Sequence, residues 1–382
     1  GLALARKQTA YDSVWGDCDS LYMLDMWQLR HFNLENSRIL EGCTNYNLQY
    51  KVAAAETGVK RVLLTASQAS GFIVGSTVSV GDKGSNSSAD RYNTWMRDIA
   101  DKVKVKSIET VTVGGTDYSA VNLDVADSFD VPETAYISSM PWHSGATEAL
   151  PGHSDGAPGS LTNGKYPCRW AGVEMLNGAY VVGLDPLWNV TTVDGGVTYT
   201  AMACRDSEKE AGSVTANHVK VAEKTFTSVN AWNYELSMQN DSTESLLPDK
   251  TGGGDTVGMK SAFYVNGSAG VRCPWRYGNL NNAGIAGAAC ANGNNSPANS
   301  NWNGVPRPTE ILRHSPKLCR IALCYPCRKL KSCETDTAPG FGRGYALRAH
   351  GGASSRTPRP CTKGHGNRKP LHISKYFYET KI

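Results

Sequence analysis

Charged residues and long apolar segments are both scarce in this sequence. Only 19% of its 382 residues are Asp, Glu, Lys or Arg, and no stretch approaches the roughly 18–20 apolar residues that a membrane helix needs. The motifs G-x-S-x-G and H-E-x-x-H, the Walker A motif and a G-x-G-x-x-G in a strand–helix context are also absent. These absences argue against a membrane span and against the commonest hydrolase, protease and nucleotide-binding sites.

The start of the chain lacks two further features. It begins with Gly rather than Met, and the opening GLALARKQTAYDSVW has no signal-peptide pattern. We therefore expect the natural N-terminus to lie upstream of Gly1.

Composition and hydropathy patterns predict an α+β fold dominated by strands. Hydrophobic residues make up 40% of the chain, and 39 Gly and 17 Pro indicate many turns. Between residues 20 and 40, apolar residues recur at a spacing close to that of an amphipathic helix. They are Leu21, Leu24, Trp27, Leu29 and Phe32. Between residues 50 and 140, short Val, Leu and Ile runs alternate with Ser, Gly and Thr, which predicts a small antiparallel β domain, open or closed into a barrel.

Shorter segments add local predictions. The VGG at 113–115 is a turn between two strands, and SADRYNTWMRDIADKV is a helix-like excursion. HVKVAEKTFTS is a strand, and SAFYVNGSAGVRCPWRYG is an apolar strand pair. The predicted organisation is an N-terminal helical segment at 1–48, a small β domain at 49–140, a second domain at 141–303 and an irregular tail at 304–382.

Charge separates the tail from the rest of the chain. Residues 304–382 contain 16 Lys and Arg against 4 Asp and Glu, which leaves 23 basic and 31 acidic residues in 1–303. The chain therefore divides near Asn303 into an acidic body and a basic tail.

One stretch of the body, residues 279–303, is unusually rich in asparagine. Nine of its 25 residues are asparagine, interleaved with Gly, Ala and a Trp. They are Asn279, Asn281, Asn282, Asn292, Asn294, Asn295, Asn299, Asn301 and Asn303. Asparagine stabilises neither helices nor strands, so the simplest reading is a turn-rich region of an ordinary β protein.

Two motifs give a second reading. The segment CRWAGVEMLNGAYVVGLDPLWNV is followed, a hundred residues later, by GVRCPWRYGNLNNAGIAGAACANGNNSPANSNWN. Together they resemble the variable proteins of diversity-generating retroelements, which are phage and bacterial display proteins with a C-type-lectin-like domain. The middle motif is matched by Gly172, Glu174 and Gly178, with Trp170 just ahead. The variable repeat is matched by Arg276, Gly278, Ala283–Gly284 and residues 300–303. The resemblance spans roughly residues 10–305, is loose over the front half of that range and is more specific over 265–303.

The resemblance implies a function and a site. Residues 141–303 would form a lectin-like domain, and the nine asparagines would be ligand-binding positions whose adenine-rich codons are randomised by the retroelement. The scaffold residues would be Trp170, Gly172, Glu174, Gly178, Trp275, Gly278 and Trp302. The chain would be a phage structural or tail protein, on a virion or a bacterial cell surface, that binds a host-surface protein or glycan. By the same resemblance it would be a homo-oligomer, plausibly a trimer. No cofactor and no nucleic acid partner are expected.

Enzymatic readings are weaker. His143 and His153 flank a loop that could hold a metal, Glu174 could serve as a general acid, and Cys273 with Cys290 could form an oxidase-type cysteine site. We expect instead surface histidines, a buried hydrogen-bonding Glu174 and inert cysteines, and therefore no enzyme. The rival from another class is a β-rich virion scaffold protein without a binding role.

The tail leaves three explanations open. Cys319, Cys324, Cys327 and Cys333 have the spacing C-x4-C-x2-C-x5-C, which could bind Zn²⁺ and, with the basic charge, contact nucleic acid. A solvated basic arm is the second explanation. Translation of a shifted reading frame, which we favour, is the third. In that case the strand that closes the lectin-like domain would be missing after Asn303.

Overall fold

The computed structural model describes residues 12–37, 41–91, 93–143, 145 and 163–310, which belong to one structural unit ending at Leu312. Among these residues, no helix is both long and apolar enough to cross a membrane. The structure is β-rich with one substantial helix near its start. The second unit, Arg313–Ile382, lies outside the described residues, and so do the four tail cysteines with the proposed zinc spacing.

The elements of the first half are two helices and nine strands. The helices are α1 (Asp17–His31) and α2 (Ala66–Ala69). The strands are β1 (Asp12–Val14), β2 (Gln49–Lys51), β3 (Glu56–Val59), β4 (Arg61–Leu64), β5 (Thr77–Asp82), β6 (Ala100–Val113), β7 (Thr116–Asp124), β8 (Phe129–Val131) and β9 (Ala135–Met140).

The second half adds fourteen strands to the described residues. They are β10 (Cys168–Trp170), β11 (Val173–Met175), β12 (Tyr180–Val182), β13 (Leu187–Val193), β14 (Gly196–Cys204), β15 (His218–Phe226), β16 (Ala231–Met238), β17 (Pro248–Thr251), β18 (Ala262–Val265), β19 (Gly270–Arg272), β20 (Trp275–Arg276), β21 (Ala291–Asn292), β22 (Gly304–Pro306) and β23 (Pro308–Glu310).

Helix α1 is shorter than the sequence pattern predicts. Its first turn carries Asp17 and Asp19, which favour the positive end of the helix dipole. It ends because Phe32 adopts a left-handed conformation (φ 49°) and donates its N–H to the Gln28 carbonyl oxygen at 2.7 Å. The predicted apolar face is partly wrong. Leu24 and Trp27 are buried, but Leu29 and Phe32 are 61% and 91% exposed, because a spacing of two to three residues winds around the helix.

Residues 49–140 contain the antiparallel strands that the sequence predicts, within the one compact unit that ends at Leu312. Six strands are ordered β2-β9-β5-β6-β7-β4, and the segment after β2 pairs with β4 through an Ala54–Leu63 bridge, so the sheet returns on itself as a barrel. Its interior is filled by aliphatic side chains such as Val62, Val80 and Ile137. The predicted turn at 113–115 is confirmed, since β6 and β7 form a hairpin there.

Two local predictions are wrong. The excursion SADRYNTWMRDIADKV contains only a 3-10 turn at Thr94–Arg97 before β6 begins. SAFYVNGSAGVRCPWRYG contains three strands, β18, β19 and β20, rather than a strand pair, and β18 and β19 do not pair with each other. β18 joins a seven-stranded sheet ordered β17-β16-β18-β21-β20-β12-β22, and β19 joins a four-stranded sheet ordered β15-β14-β13-β19. The sequence showed the strands but not their partners.

Helix α1 packs onto the second half of the chain rather than forming a segment of its own. Its buried residues Met23, Leu24 and Trp27 share one core cluster with Trp170 and Tyr277. Trp15, just before the helix, donates its indole N–H to the Tyr277 hydroxyl at 3.1 Å. The predicted N-terminal segment at 1–48 is therefore not a separate one where the structure describes it, because its helix shares a core with residues 163–310.

The folded chain continues past the predicted boundary at Asn303. Strand β22 pairs in parallel with β12, and β23 pairs with β1. The Trp15 N–H donates to the Arg307 carbonyl oxygen at 2.7 Å, and the Arg307 guanidinium lies 5.1 Å from the centre of the Trp15 ring. The break in charge composition thus does not coincide with the end of the fold, since two paired strands follow Asn303.

Candidate ligand-binding surface

The sheet topology places the asparagine-rich stretch at two opposite ends of the fold. β20 runs antiparallel to both β21 and β12, and β22 runs parallel to β12. The connection after β20 therefore leaves at the end where β22 begins, whereas the connection after β21 starts at the opposite end. We call these the barrel end, with Asn279, Asn281, Asn282, Asn301 and Asn303, and the far end, with Asn292, Asn294 and Asn295. Asn299 lies on the connection between them.

The barrel end is anchored against the β-barrel by apolar side chains. Leu280 and Trp302 are buried in one cluster with four residues of the barrel and its flanks, which are Cys43, Tyr46, Met140 and Trp142. The backbone is fixed as well, because the Tyr46 N–H donates to the Leu280 carbonyl oxygen at 2.9 Å. The two ends of this part of the chain are thus held by Leu280 and Trp302 through contacts that do not involve the asparagine side chains.

The nine predicted display positions differ in their exposure. Four are exposed, namely Asn281, Asn294, Asn299 and Asn301, and two are half-buried, namely Asn282 and Asn292. The other three are Asn279, Asn295 and Asn303, which are only 5%, 9% and 5% exposed. A buried side chain cannot reach a ligand without rearrangement, so the structure supports six of the nine as surface positions.

Most of these asparagines stabilise the turns in which they lie. The Asn279 Oδ1 accepts the Asn281 N–H at 2.9 Å, and the Asn282 Oδ1 accepts the Asn279 N–H at 2.7 Å. Equivalent bonds link Asn292 to the Asn294 N–H and Asn299 to the Ser296 N–H, both at 2.9 Å. Asparagine is well suited to such turns because its short amide reaches nearby backbone groups.

A polar cleft of about 330 Å³ opens at the barrel end. It is lined by Asn47, Gln49, Asp90, Arg91, Asn281 and Trp302. The Asn47 Nδ2 donates to the Asn281 Oδ1 at 2.7 Å, which joins the barrel side of the cleft to the asparagine-rich side. Sequence reasoning missed the four barrel residues because nothing in their local sequence marks them, and they meet Asn281 only through the fold.

Arg91 holds the two sides of this cleft together. It is 6% exposed, and it donates to the Ser139 and Leu48 carbonyl oxygens at 3.1 and 3.0 Å. Its guanidinium carbon lies 5.3 Å from the centre of the Trp302 ring, within the range of a cation–π interaction. Arg91 therefore links the barrel to the end of the asparagine-rich stretch.

The predicted scaffold residues lie in the fold as follows. Trp170, Trp275 and Trp302 are 2%, 1% and 6% exposed. Gly172, Gly178 and Gly278 all have positive φ, and a Cβ on Gly278 would approach the Ala286 Cβ to 2.7 Å. Glu174 is half-buried rather than buried, and both of its carboxylate oxygens lie 2.9 Å from the Gly145 N–H that donates to them.

A buried ion pair connects the variable-repeat motif to helix α1. Arg276 and Asp17 form a two-pronged contact, with Nε to Oδ1 at 2.8 Å and Nη2 to Oδ2 at 2.7 Å, and their side chains are 1% and 0% exposed. Arg276 also donates to the Leu246 carbonyl oxygen at 2.7 Å. Burial raises the pKa of Asp17, and the charge of Arg276 opposes that shift. Asp17 was missed as a partner because 259 residues separate the two.

Of the residues that were considered for enzymatic chemistry, the described histidine is hydrogen-bonded and the two cysteines are buried. The His143 Nε2 lies 2.8 Å from the Lys102 carbonyl oxygen, and His153 lies outside the described residues. Burial raises the pKa of the Cys273 thiol to about 12 and that of Cys290 well above its ordinary value, so both stay protonated at neutral pH. Within the described ranges, no three His, Cys, Asp or Glu side chains converge as a metal site would require.

Two buried carboxyl groups have strongly shifted pKa values. Burial raises the pKa of Glu235 to about 7, against an opposing hydrogen bond from Ser261 and the charge of Arg276. Burial also raises the pKa of Asp185 to about 7. Both groups lie in the half of the chain that carries the asparagine-rich stretch, and neither lines the cleft.

Comparison of the chain with known protein families, curated proteins and solved structures gave no match.

Proposed function

We propose that this chain is a ligand-binding display protein and that the barrel end of the asparagine-rich stretch is its binding face. In this proposal, residues 163–310 together with helix α1 form a C-type-lectin-like domain. A retroelement exchanges the exposed asparagines, and the carrier is a phage structural or tail protein, on a virion or on a bacterial cell surface.

The observation that carries the proposal is the separation of anchors from exchangeable positions. Leu280 and Trp302 are buried in the cluster against the barrel, while their neighbours Asn281 and Asn301 are exposed. A surface that must accept many different side chains needs a backbone that is held by other residues. Alternation of core anchors and exposed asparagines meets that requirement.

Burial narrows the proposed binding positions. Asn281, Asn282 and Asn301 are the positions at the barrel end whose side chains reach solvent, whereas Asn279 and Asn303 are buried. Asparagine itself offers both a donor and an acceptor on a short side chain. Exchange to Tyr, Arg or Asp would add contact area or charge. The partner in this proposal is a host-surface protein or glycan, and a homo-oligomeric carrier rests on the family resemblance alone.

The DNA around the gene tests this proposal. We expect a second, imperfect copy of the codons for residues 279–303 that differs mainly at adenines, close to a gene for a reverse transcriptase. An unmodified locus without either element would refute diversification.

A second candidate function is a β-rich virion scaffold protein without a binding role. The hydrogen bonds that nearby backbone N–H groups donate to the side-chain oxygens of Asn279, Asn282, Asn292 and Asn299 favour it, because they give the asparagines a purely structural use. The two candidates differ in their tolerance of change. A display surface accepts exchange at Asn281 and Asn301 with the fold unchanged and gains a binding partner, whereas a scaffold gains none.

A further inference from the structure

We propose that the cleft at the barrel end is a composite binding site for a short neutral saccharide, with one wall fixed and one wall exchangeable. This inference deepens the proposed function and rests on it for the exchange at Asn281. The binding of the saccharide itself rests on the cleft alone.

The chemistry of the walls indicates the class of ligand. Five of the six lining residues are polar, with three side-chain amides, one carboxylate and one guanidinium, and the sixth is Trp302. An amide offers a donor and an acceptor side by side, which matches the hydroxyl groups of a sugar, each of which is both donor and acceptor. Few apolar side chains face the cleft, so an apolar ligand would bury little surface there.

Charge and size restrict the class further. Asp90 and Arg91 give the cleft one negative and one positive side chain, and Arg91 is already hydrogen-bonded to two backbone carbonyl oxygens. An anionic ligand would meet the Asp90 carboxylate, and the buried Arg91 side chain has little surface left to pair with it. A cationic ligand would meet Asp90 beside the charge of Arg91, so the two charges offset each other, whereas a neutral ligand meets no repulsion from either. The volume of about 330 Å³ is at the lower end of small-molecule sites and suits one or two sugar rings.

The two walls belong to different parts of the chain. Asn47, Gln49, Asp90 and Arg91 come from the barrel and its flank, whereas Asn281 comes from the asparagine-rich stretch. The 2.7 Å bond from Asn47 to Asn281 crosses between the walls. A different residue at 281 breaks that bond and alters both the opening and the donor and acceptor pattern of one wall. The barrel would thus supply constant affinity for a sugar, and position 281 would select among sugars.

Saccharide titration of the full chain tests this inference. The probes are the methyl glycosides of glucose, galactose, mannose and N-acetylglucosamine, with sialic acid and inorganic phosphate as charged comparators, and binding is followed by saturation-transfer NMR. We expect at least one neutral glycoside to bind with a Kd of roughly 1–10 mM, as befits a few hydrogen bonds. Gln49→Ala and Asn281→Ala should each weaken binding by roughly three- to tenfold. Asn294→Ala, at the far end, should leave binding unchanged.

Three results would overturn the inference. The first is that none of the neutral glycosides binds at roughly 50 mM, well above the expected Kd. The second is that only sialic acid or phosphate binds, and the third is that Asn294→Ala weakens binding as much as Gln49→Ala does. Circular dichroism of each variant checks that the fold is retained, and Gln49→Glu provides a second variant if Gln49→Ala unfolds. If the DNA contains the repeat but the protein binds no sugar, this inference alone is refuted. If the protein binds a sugar but the DNA contains no repeat, only diversification is refuted.

Discussion

The asparagines of the asparagine-rich stretch should differ sharply in how they tolerate a large side chain. Asn279 and Asn301 make the clearest comparison, because both lie at the barrel end but only Asn301 is exposed. Asn279 is 5% exposed, and its Oδ1 accepts the Asn281 N–H at 2.9 Å. The perturbation is the exchange of each for tyrosine, a residue that a diversified binding surface would be expected to use.

The expected magnitudes follow from these contacts. Asn279→Tyr removes one hydrogen bond, worth about 1 kcal/mol, and forces a ring into filled space, which costs about 1–3 kcal/mol. The free energy of unfolding should therefore fall by about 2–4 kcal/mol. Asn301→Tyr loses only the part-buried hydrogen bond that the Asn301 Oδ1 accepts from the adjacent Trp302 N–H. Because the Asn301 side chain is itself exposed, this exchange should change stability by about 0.5 kcal/mol or less.

Urea unfolding of the two variants, followed by circular dichroism, measures the difference. The reasoning is refuted if Asn279→Tyr and Asn301→Tyr agree within about 0.5 kcal/mol, because burial would then not determine tolerance. Asn279→Ala separates the two contributions to the loss. It removes the hydrogen bond without adding volume, and should cost about 1 kcal/mol.

Three further predictions concern the interior. Asp17→Asn leaves the charge of Arg276 buried without its partner, and urea unfolding should show a loss of about 3–5 kcal/mol. Glu235 has its pKa raised to about 7, so the folded state keeps a proton that the unfolded state loses above about pH 4.5. The stability from this group is present at low pH and decreases by about 3 kcal/mol as the pH rises to 7. Glu235→Gln should therefore flatten the fall in unfolding free energy between about pH 4.5 and pH 7. Gly304→Ala should lower the thermal midpoint, because its Cβ would lie 2.7 Å from the Trp275 ring, whereas nothing lies within 4 Å of a Cβ on Gly284.

Matched variants control each of these measurements. Asp241→Asn and Glu133→Gln remove exposed carboxylates and should change stability by about 0.5 kcal/mol or less. If Asp241→Asn costs as much as Asp17→Asn, the buried ion pair has no special role. If Glu133→Gln flattens the pH dependence as much as Glu235→Gln does, the buried carboxyl is not its source. Equal effects at Gly304 and Gly284 would contradict the steric argument.

The local patterns of the sequence predict the strands well, because alternation of side chains reports directly on one strand at a time. The hairpin at 113–115 and strand β15 are examples. Partners that are distant in the sequence cannot be predicted from these local patterns. β18 and β19 join different sheets, and Asp17 meets Arg276 across 259 residues, so neither partner leaves a mark in its neighbourhood.

The candidate site likewise combines residues that the sequence pattern reveals with residues that only the fold brings together. Trp302 and the asparagines are visible as a pattern, but the wall formed by Asn47, Gln49 and Arg91 is visible only after the barrel closes and meets residue 281. The boundary at Asn303 was predicted from charge, which reports on solubility and partners rather than on chain pairing. Two strands after it pair with strands of the first and second halves, so the boundary of the fold had to come from hydrogen bonds.

Asparagine suits both interpretations of residues 279–303, the display surface and the scaffold, because it stabilises turns without filling space. At four of the six accessible positions, Asn282, Asn292, Asn299 and Asn301, the side-chain oxygen accepts a nearby backbone N–H. Each such hydrogen bond is worth about 0.5–1 kcal/mol, so exchanging these four positions together removes about 2–4 kcal/mol. That is a large fraction of the total stability of many domains. A surface that loses its own turn contacts on diversification must therefore rely on contacts that never vary. The buried Asp17–Arg276 pair and the buried cluster that contains Leu280 and Trp302 are contacts of this kind. If the exposed asparagines are exchanged as proposed, these contacts hold the backbone while the exposed side chains change.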